Sequence, residues 1–336
     1  MSVIITLLIL VILVALIFEY INGFHDSANS IATVVATKVL SPKTAVVYAG
    51  VLEVIGAFSG THVAKTISSG LLNIDSTTQT VILCALIGAV VWNLITWFYG
   101  IPSSSSHALI GGLLGASMFK YGITIINGDG LTHKILIPMI ISPILGLTIG
   151  FTVMLILIWI FHKANPEFVN HGFRKLQLLS SGIMAFSHGS NDAQKTMGII
   201  TLALFSFGAI KTNDVPTWVI FMCALTMGLG TMAGGWKIIR TMGTKVIKLK
   251  PIHGFAAETS SAAVILTASH FGIPISTTHV ISSSIMGVGS TLRLSAVKWS
   301  LVLNIVFAWV VTIPVCMMIS ALVYAIISLF PGVVAY

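Results

Sequence analysis

The sequence predicts an all-α polytopic membrane protein made of two inverted-topology repeats, each with a broken helix and a re-entrant helical hairpin. Composition is the first reason: 56% hydrophobic and 8% charged residues, with a mean hydropathy of +1.02, leave too little polar surface to cover a soluble globule of 336 residues. Apolar stretches of bilayer-spanning length recur along the chain. One polar signal also occurs twice, as Gly100-Ile101-Pro102-Ser103-Ser104-Ser105-Ser106-His107 and as Gly272-Ile273-Pro274-Ile275-Ser276-Thr277-Thr278-His279.

Apolar stretches run at 3–38, 44–65, 79–99, 104–119, 135–161, 176–210, 216–236, 253–271, 275–291 and 296–330. Those at 3–38 and 176–210 are too long for one straight crossing, because such a helix reaches about 50 Å against a hydrocarbon core of about 30 Å. A polar motif interrupts each. The segments 79–119 and 253–291 read as helix pairs folded back on themselves, with the Gly-Ile-Pro signal at the tip. The first 21 residues have neither a basic leader nor a small-residue cleavage site, so they read as a first membrane segment and not as a signal peptide.

A net charge of +8 raises nucleic acid as a partner, but the basic residues sit in short loops without interleaved aromatics, which excludes it. Lys163, Arg174 and Lys175 fall in one loop, and Lys237, Arg240, Lys245, Lys248 and Lys250 in another. The loops 66–78 and 121–133 carry acids and no Lys or Arg. The positive-inside rule places the basic loops in the cytoplasm, makes this a multi-pass protein of the cytoplasmic (inner) membrane, and puts both termini on the extracytoplasmic side. Three crossings per half is an odd number, so the second half is inverted relative to the first. The expected division is a first repeat at 1–161, a short cytoplasmic linker at 162–175 and a second repeat at 176–336. Cys84, Cys223 and Cys316 lie far apart in apolar segments and read as buried small side chains.

Of nine acids, Asp75, Asp129, Glu167 and Asp214 are assigned to loops. Glu19, Asp26, Glu53, Asp192 and Glu258 lie within or beside apolar segments, where an ionised acid near a helix centre costs about 2.5–3.5 kcal/mol on insertion scales. Glu19 reads equally as interfacial or functional. Glu53 and Glu258 are either functional or paired with Lys65 and polar neighbours. Asp26 and Asp192 stand inside repeated polar clusters, Asn22-Gly23-Phe24-His25-Asp26-Ser27-Ala28-Asn29-Ser30 and His188-Gly189-Ser190-Asn191-Asp192-Ala193-Gln194-Lys195. Gly23 and Gly189 are expected to let the helix unwind there, freeing carbonyls to bind a cation beside the carboxylate.

The chemistry of these residues alone describes a site. Each hairpin tip aims a helix N-terminus and a row of hydroxyls at one point, Ser103, Ser104, Ser105 and Ser106 from one side, Ser276, Thr277 and Thr278 from the other, where an oxyanion would bind. Asn29 and Gln194 can donate to the same anion. Asn22, Asp26, Glu53, Asn191, Asp192 and Glu258 are the cation-coupling candidates, with Asp26 and Asp192 as metal ligands if the cation is sodium. An anion beside two carboxylates is repelled unless a cation arrives with it, and linkage then couples the two. Lys195 is either a fixed counter-charge or simply a partner for Asp192. His25, His107, His188 and His279 can carry protons near neutral pH, although His107 and His279 read better as braces for the hairpin tips. The cation, proton or sodium or one travelling as a metal-anion complex, stays open, with protons slightly ahead; no other cofactor is indicated. A serine hydrolase built on Ser103–Ser106, His107 and an aspartate is disfavoured, because nothing resembles a nucleophile elbow and an enzyme has no use for a duplicated nucleophile row. A passive anion channel would not need acids in its path.

Both aspartate motifs, the run Gly254-Phe255-Ala256-Ala257-Glu258 and both Gly-Ile-Pro hairpins together resemble the inorganic phosphate transporter (PiT) family over nearly the whole chain. The His25-Asp26 and Asn191-Asp192-x-Gln194-Lys195 forms look like bacterial members. The resemblance implies cation-coupled symport of inorganic phosphate, with Asp26 and Asp192 serving coupling and the hydroxyls at 103–106 and 276–278 near the phosphate, in a lipid-embedded protein that is commonly a homodimer. A sulfate or other oxyanion permease of the same fold is the nearest alternative, yet such branches generally lack the Asp-x-x-Asn element kept here.

Overall fold

A computed structural model of the chain describes residues 2–70 and 78–330. Asp75 and the extreme ends of the chain, whose exterior placement the charge pattern predicts, lie outside the described residues. Among the described residues there is no β-strand, and the helices are α1 (Ser2–Ala36), α2 (Pro42–Ala57), α3 (His62–Gly70), α4 (Gln79–Tyr99), α5 (Ser105–Tyr121), α6 (Gly128–Leu131), α7 (Ile137–Phe161), α8 (Pro166–Phe207), α9 (Thr217–Ala233), α10 (Trp236–Arg240), α11 (Pro251–His270), α12 (Thr277–Leu292) and α13 (Trp299–Ser328). The second half repeats the first in order: a long helix (α1, α8), a bent pair (α2 and α3, α9 and α10), a hairpin (α4 and α5, α11 and α12) and a closing helix (α7, α13).

The Gly-Ile-Pro signal works as stop, turn and start. Gly100 ends α4 at φ 67° and Gly272 follows α11 at φ 68°, left-handed conformations that glycine adopts without strain. Two residues beyond each proline, Ser104 and Ser276 cap the returning helices, their hydroxyls accepting from the backbone N–H of His107 (3.2 Å) and of His279 (3.3 Å).

Burial is turned inside out relative to a water-soluble protein. Ile5, Ile9, Leu13 and Ile17 form a stripe along α1 that is 43–53% exposed, whereas Glu19, Asn22, His25, Asp26 and Asn29 of the same helix are buried. The apolar stripe points outward from the bundle and the polar one faces the other helices. Among the described residues, by length and apolarity alone, four segments qualify as spans, or up to six if each bent pair counts once. The 42-residue α8 is not among them, because its buried face carries the polar cluster and so dilutes its hydropathy.

The two halves interlock through glycines on which backbones rest. A Cβ on Gly189 would lie 2.1 Å from the carbonyl oxygen of Glu53 in α2, and one on Gly23 would lie 2.4 Å from that of Met227 in α9. Closing helices are exchanged: Gly287 of α12 abuts Leu147 of α7, and Gly111 and Gly115 of α5 abut Ile313 and Met317 of α13. Gly111 and Gly115 stand four residues apart, the small-residue spacing that lets helix backbones approach closely.

Three expectations change. The helices α1 and α8 run unbroken through the aspartate clusters, because Gly23 and Gly189 are spent on close helix contact and not on unwinding. Each half does have a broken helix, but it is the second element: α2 and α3 meet at 71° and α9 and α10 at 62°. The linker expected at 162–175 is shorter, since Asn165 caps α8 by accepting from Glu167 N (2.8 Å) and residues 166–175 are helical, carrying Arg174 and Lys175 with them.

Candidate functional site

The aspartate clusters lie side by side where α1 and α8 pass the hairpin tips. Ligand atoms of Asp26, His188 and Asp192 all lie within 4.8 Å of one another, and all three residues are buried. Around Asp26, the imidazole of His25 bridges its own neighbour to the first hairpin: Nδ1 is 2.7 Å from Asp26 Oδ1, and Nε2 is 2.9 Å from Thr96 Oγ1. Ser103 donates to Thr96 Oγ1 at 2.8 Å. Around Asp192, the Lys195 ammonium binds Oδ1 at 2.5 Å and Thr277 donates to Oδ2 at 3.0 Å. His188 then links this carboxylate to a third, with Nε2 3.3 Å from Asp192 Oδ2 and Nδ1 2.9 Å from Glu53 Oε1.

The hairpin tips converge on the same point. Ser106 Oγ donates to Ile275 O at 3.3 Å, and the rings of His107 and His279 meet edge to face with centroids 4.4 Å apart. Trp309 of α13 stacks on His279 at 3.9 Å and donates from Nε1 to Pro102 O at 3.1 Å. The two histidines therefore brace the tips through ring contacts. Asn29 of α1 donates to Thr278 Oγ1 (2.9 Å) and lies 3.3 Å from Thr277 Oγ1. The hydroxyl of Ser105, at the first position of α5, is buried without a partner. So are the amide oxygens of Asn22, Asn29 and Asn191. Unpartnered buried polar atoms in a closed polar cluster are where a ligand would complete the bonding.

Four residues do other work than the sequence suggested. Gln194 is turned away from the aspartates: its Oε1 accepts from Val63 N at 2.8 Å, capping α3 at the break of the first bent pair, and its Nε2 donates to Ser190 O at 2.6 Å. Ser27 serves the other break in the same way, accepting from Gly235 N at 2.8 Å. Glu258 touches neither aspartate. It is held by Thr33 (2.5 Å), Gln177 (3.0 Å) and the hydroxyl of Ser180, a separate buried cluster. Glu19 is fully buried and accepts from Thr196 of α8, so it is not interfacial. Lys65 pairs with exposed Asp214 at 2.8 Å and with neither glutamate.

Glu53 is a hub that the sequence showed only as an isolated acid. Ser30 donates to its Oε1 at 2.7 Å, His188 binds the same oxygen, and Thr231 of α9 donates to Oε2. The signals for Thr96 and Thr231 are single polar residues in apolar segments, too common to single out. A cavity of about 230 Å³ lined by Gly60, His62, Ser190, Gln194 and Ser269 approaches the site beside the α2–α3 break.

Comparison with known proteins agrees with this architecture. The family model described as "Phosphate transporter family" matches the chain over residues 22–168 and again over 162–320. The chain is 45% identical over 334 residues to a probable low-affinity inorganic phosphate transporter of Bacillus subtilis, covering 98% of this chain and 99% of that protein. It is 48% identical over 320 residues to a protein of the same description from Rhizobium meliloti, covering 95% and 96%. A solved structure titled "The sodium-dependent phosphate transporter" superposes with a TM-score of 0.89 at 28% identity, over 97% of this chain and all of that one. An all-helical membrane architecture, paired hairpins meeting at buried aspartates, and a family match spanning both halves make this chain a member of the phosphate transporter family, a family of transporters and not of enzymes.

Proposed function

We propose that the chain is a cation-coupled symporter of inorganic phosphate, with the anion held at the two hairpin tips and the cation held between it and the aspartates. The observation that carries this reading is the approach of Asp26 and Asp192, both buried, to one point between the N-termini of α5 and α12. Among the described residues the Lys195 ammonium matches Asp192 alone, while Asp26 meets only the imidazoles of His25 and His188. Phosphate adds one or two further negative charges in a low dielectric, and like charges there repel strongly. A cation entering with the anion removes that repulsion, so each ligand raises the affinity for the other.

In this reading Ser103, Ser104, Ser105, Ser106, Ser276, Thr277, Thr278 and Asn29 surround the phosphate, and the helix N-termini supply free backbone N–H groups. Asn22, Asp26, Asn191 and Asp192 surround the cation, which is a proton or sodium, and Glu53 is connected to them through His188. Glu258 belongs to a more distant polar cluster, and Gln194 to the scaffold. The same reading places the protein in the cytoplasmic membrane with both termini outside, takes 1–161 and 176–336 as the repeats, and makes the working unit a homodimer.

The test is phosphate accumulation in proteoliposomes of the purified protein, first with sodium removed at fixed pH, then with the proton gradient collapsed at fixed sodium. Accumulation against the phosphate gradient that depends on one of the two cations supports the reading. Mere equilibration would make the protein a passive channel, and preference for sulfate would make it a permease for another oxyanion.

A further inference from the structure

The two halves of the site differ in one respect that their sequence repeat makes visible. Asn29 and Lys195 stand at the same place, three residues after their aspartates. Asn29 keeps an unpartnered, buried amide oxygen, and on the same face of α1 so does Asn22. With Asp26 between them, this half presents oxygens and no fixed positive charge beyond what His25 and the facing His188 can bring. On α8 the equivalent position is filled by an ammonium group only 3% exposed.

Lys195 is coordinated as a small cation would be. Its Nζ lies 2.5 Å from Asp192 Oδ1, 2.5 Å from Ser106 Oγ and 2.8 Å from Ile275 O: a carboxylate, a hydroxyl and a backbone carbonyl, drawn from α8 and from both hairpin tips. An ammonium has three protons to donate, and all three are used. None is left for an incoming anion, so the group acts as charge and not as a hydrogen-bonding arm for phosphate. A side chain that only neutralised Asp192 would not need to reach across to the tips of both hairpins.

We propose that the Lys195 ammonium is a tethered cation that permanently occupies the second of two pseudo-equivalent cation positions, so that phosphate binds with a single mobile cation, held on the α1 side by Asn22, Asp26 and the amide oxygen of Asn29, whose amide nitrogen stays with the hydroxyls around the phosphate. This rests on the symport reading above and specifies its stoichiometry and the place of the moving charge. It makes Lys195 a determinant of coupling: the fixed charge draws the tips together without an ion, and the mobile ion completes the other half.

The test is phosphate binding to the detergent-solubilised protein, with sodium titrated at fixed pH and then pH titrated at fixed sodium. By linkage, the slope of log affinity against log cation activity counts cations taken up with the anion, and the expected total is about one for the native protein and about two for K195N, with K195R staying near one. At low cation concentration K195N binds phosphate more weakly than the native protein, and raising the cation restores its affinity. A native slope near two, or a K195N slope equal to the native one, overturns the proposal. A native slope of zero for both cations instead removes the symport reading itself. Should K195N elute as aggregate in size-exclusion chromatography, the native slope and that of K195R still decide the question.

Discussion

His107 and His279 face each other edge to face, ring centroids 4.4 Å apart and planes at 90°, where the returning helices of the two hairpins touch through aromatic rings. Each ring belongs to a different half of the molecule, so the contact ties the halves together where the substrate would sit. Aromatic pairs of this geometry contribute about 0.5–1.5 kcal/mol beyond their burial. In a double-mutant cycle of H107L and H279L, thermal unfolding in detergent is expected to show coupling of about that size. Additive single effects would show that the contact is incidental.

Neutralising the two aspartates has unequal structural consequences. D26N and D192N both abolish phosphate accumulation, the first by removing a carboxylate from the mobile cation's position and the second by removing the one that holds the Lys195 ammonium between the hairpin tips. D192N also strips Lys195 of its buried partner, and breaking a buried pair costs about 3–5 kcal/mol. D192N is therefore expected to melt well below D26N, as read by fluorescence-monitored thermal unfolding. Equal melting temperatures would mean that Lys195 has other compensation.

The free hydroxyl of Ser105 separates binding from folding. It has no partner to lose, and an unsatisfied buried hydroxyl costs about 1–3 kcal/mol, so S105A is expected to leave stability unchanged or to raise it. Loss of a hydrogen bond to an anion is worth about 1.5–3 kcal/mol, so phosphate affinity should fall at least about tenfold. T277A, by contrast, removes a donor to Asp192 and an acceptor for Asn29, and is expected to disturb phosphate and cation binding together. Unchanged phosphate affinity in S105A would take that hydroxyl out of the substrate shell.

Gln194 is expected to behave as a cap. Q194A should lower stability by about 0.5–2 kcal/mol, the usual cost of losing a helix N-cap, while the affinity of the remaining folded protein for phosphate stays near native. Q194E, which keeps an acceptor for Val63 N–H, should recover part of that stability. A large loss of phosphate affinity at native stability would return Gln194 to the substrate shell.

Much of this was legible because polar residues inside apolar segments are few and conspicuous. The duplicated Gly-Ile-Pro signal gave both hairpins to within a few residues, since proline, glycine and a capping serine each act locally. The aspartate clusters were equally plain, and their meeting followed from duplication. The helix breaks were not. Glycine beside an aspartate reads equally as a hinge or as a seat for a crossing backbone, and only the position of α2 and α9 decides between them. The role of Gln194 depended on where α3 begins in space, 131 residues away in sequence. Glu53 became a hub through partners on α1, α8 and α9, none adjacent to it in the chain.

The exchange of closing helices has a consequence for how the molecule is assembled. With α7 laid against α12 and α13 against α5, a polypeptide ending after residue 161 would leave its own hairpin without an outer wall and carry an apolar helix whose groove is missing. Neither half is a self-sufficient unit, and separately expressed halves should be recovered only when made together. For the same reason, each hairpin leans on a helix rooted in the opposite half, so a displacement of either one is transmitted across the whole molecule.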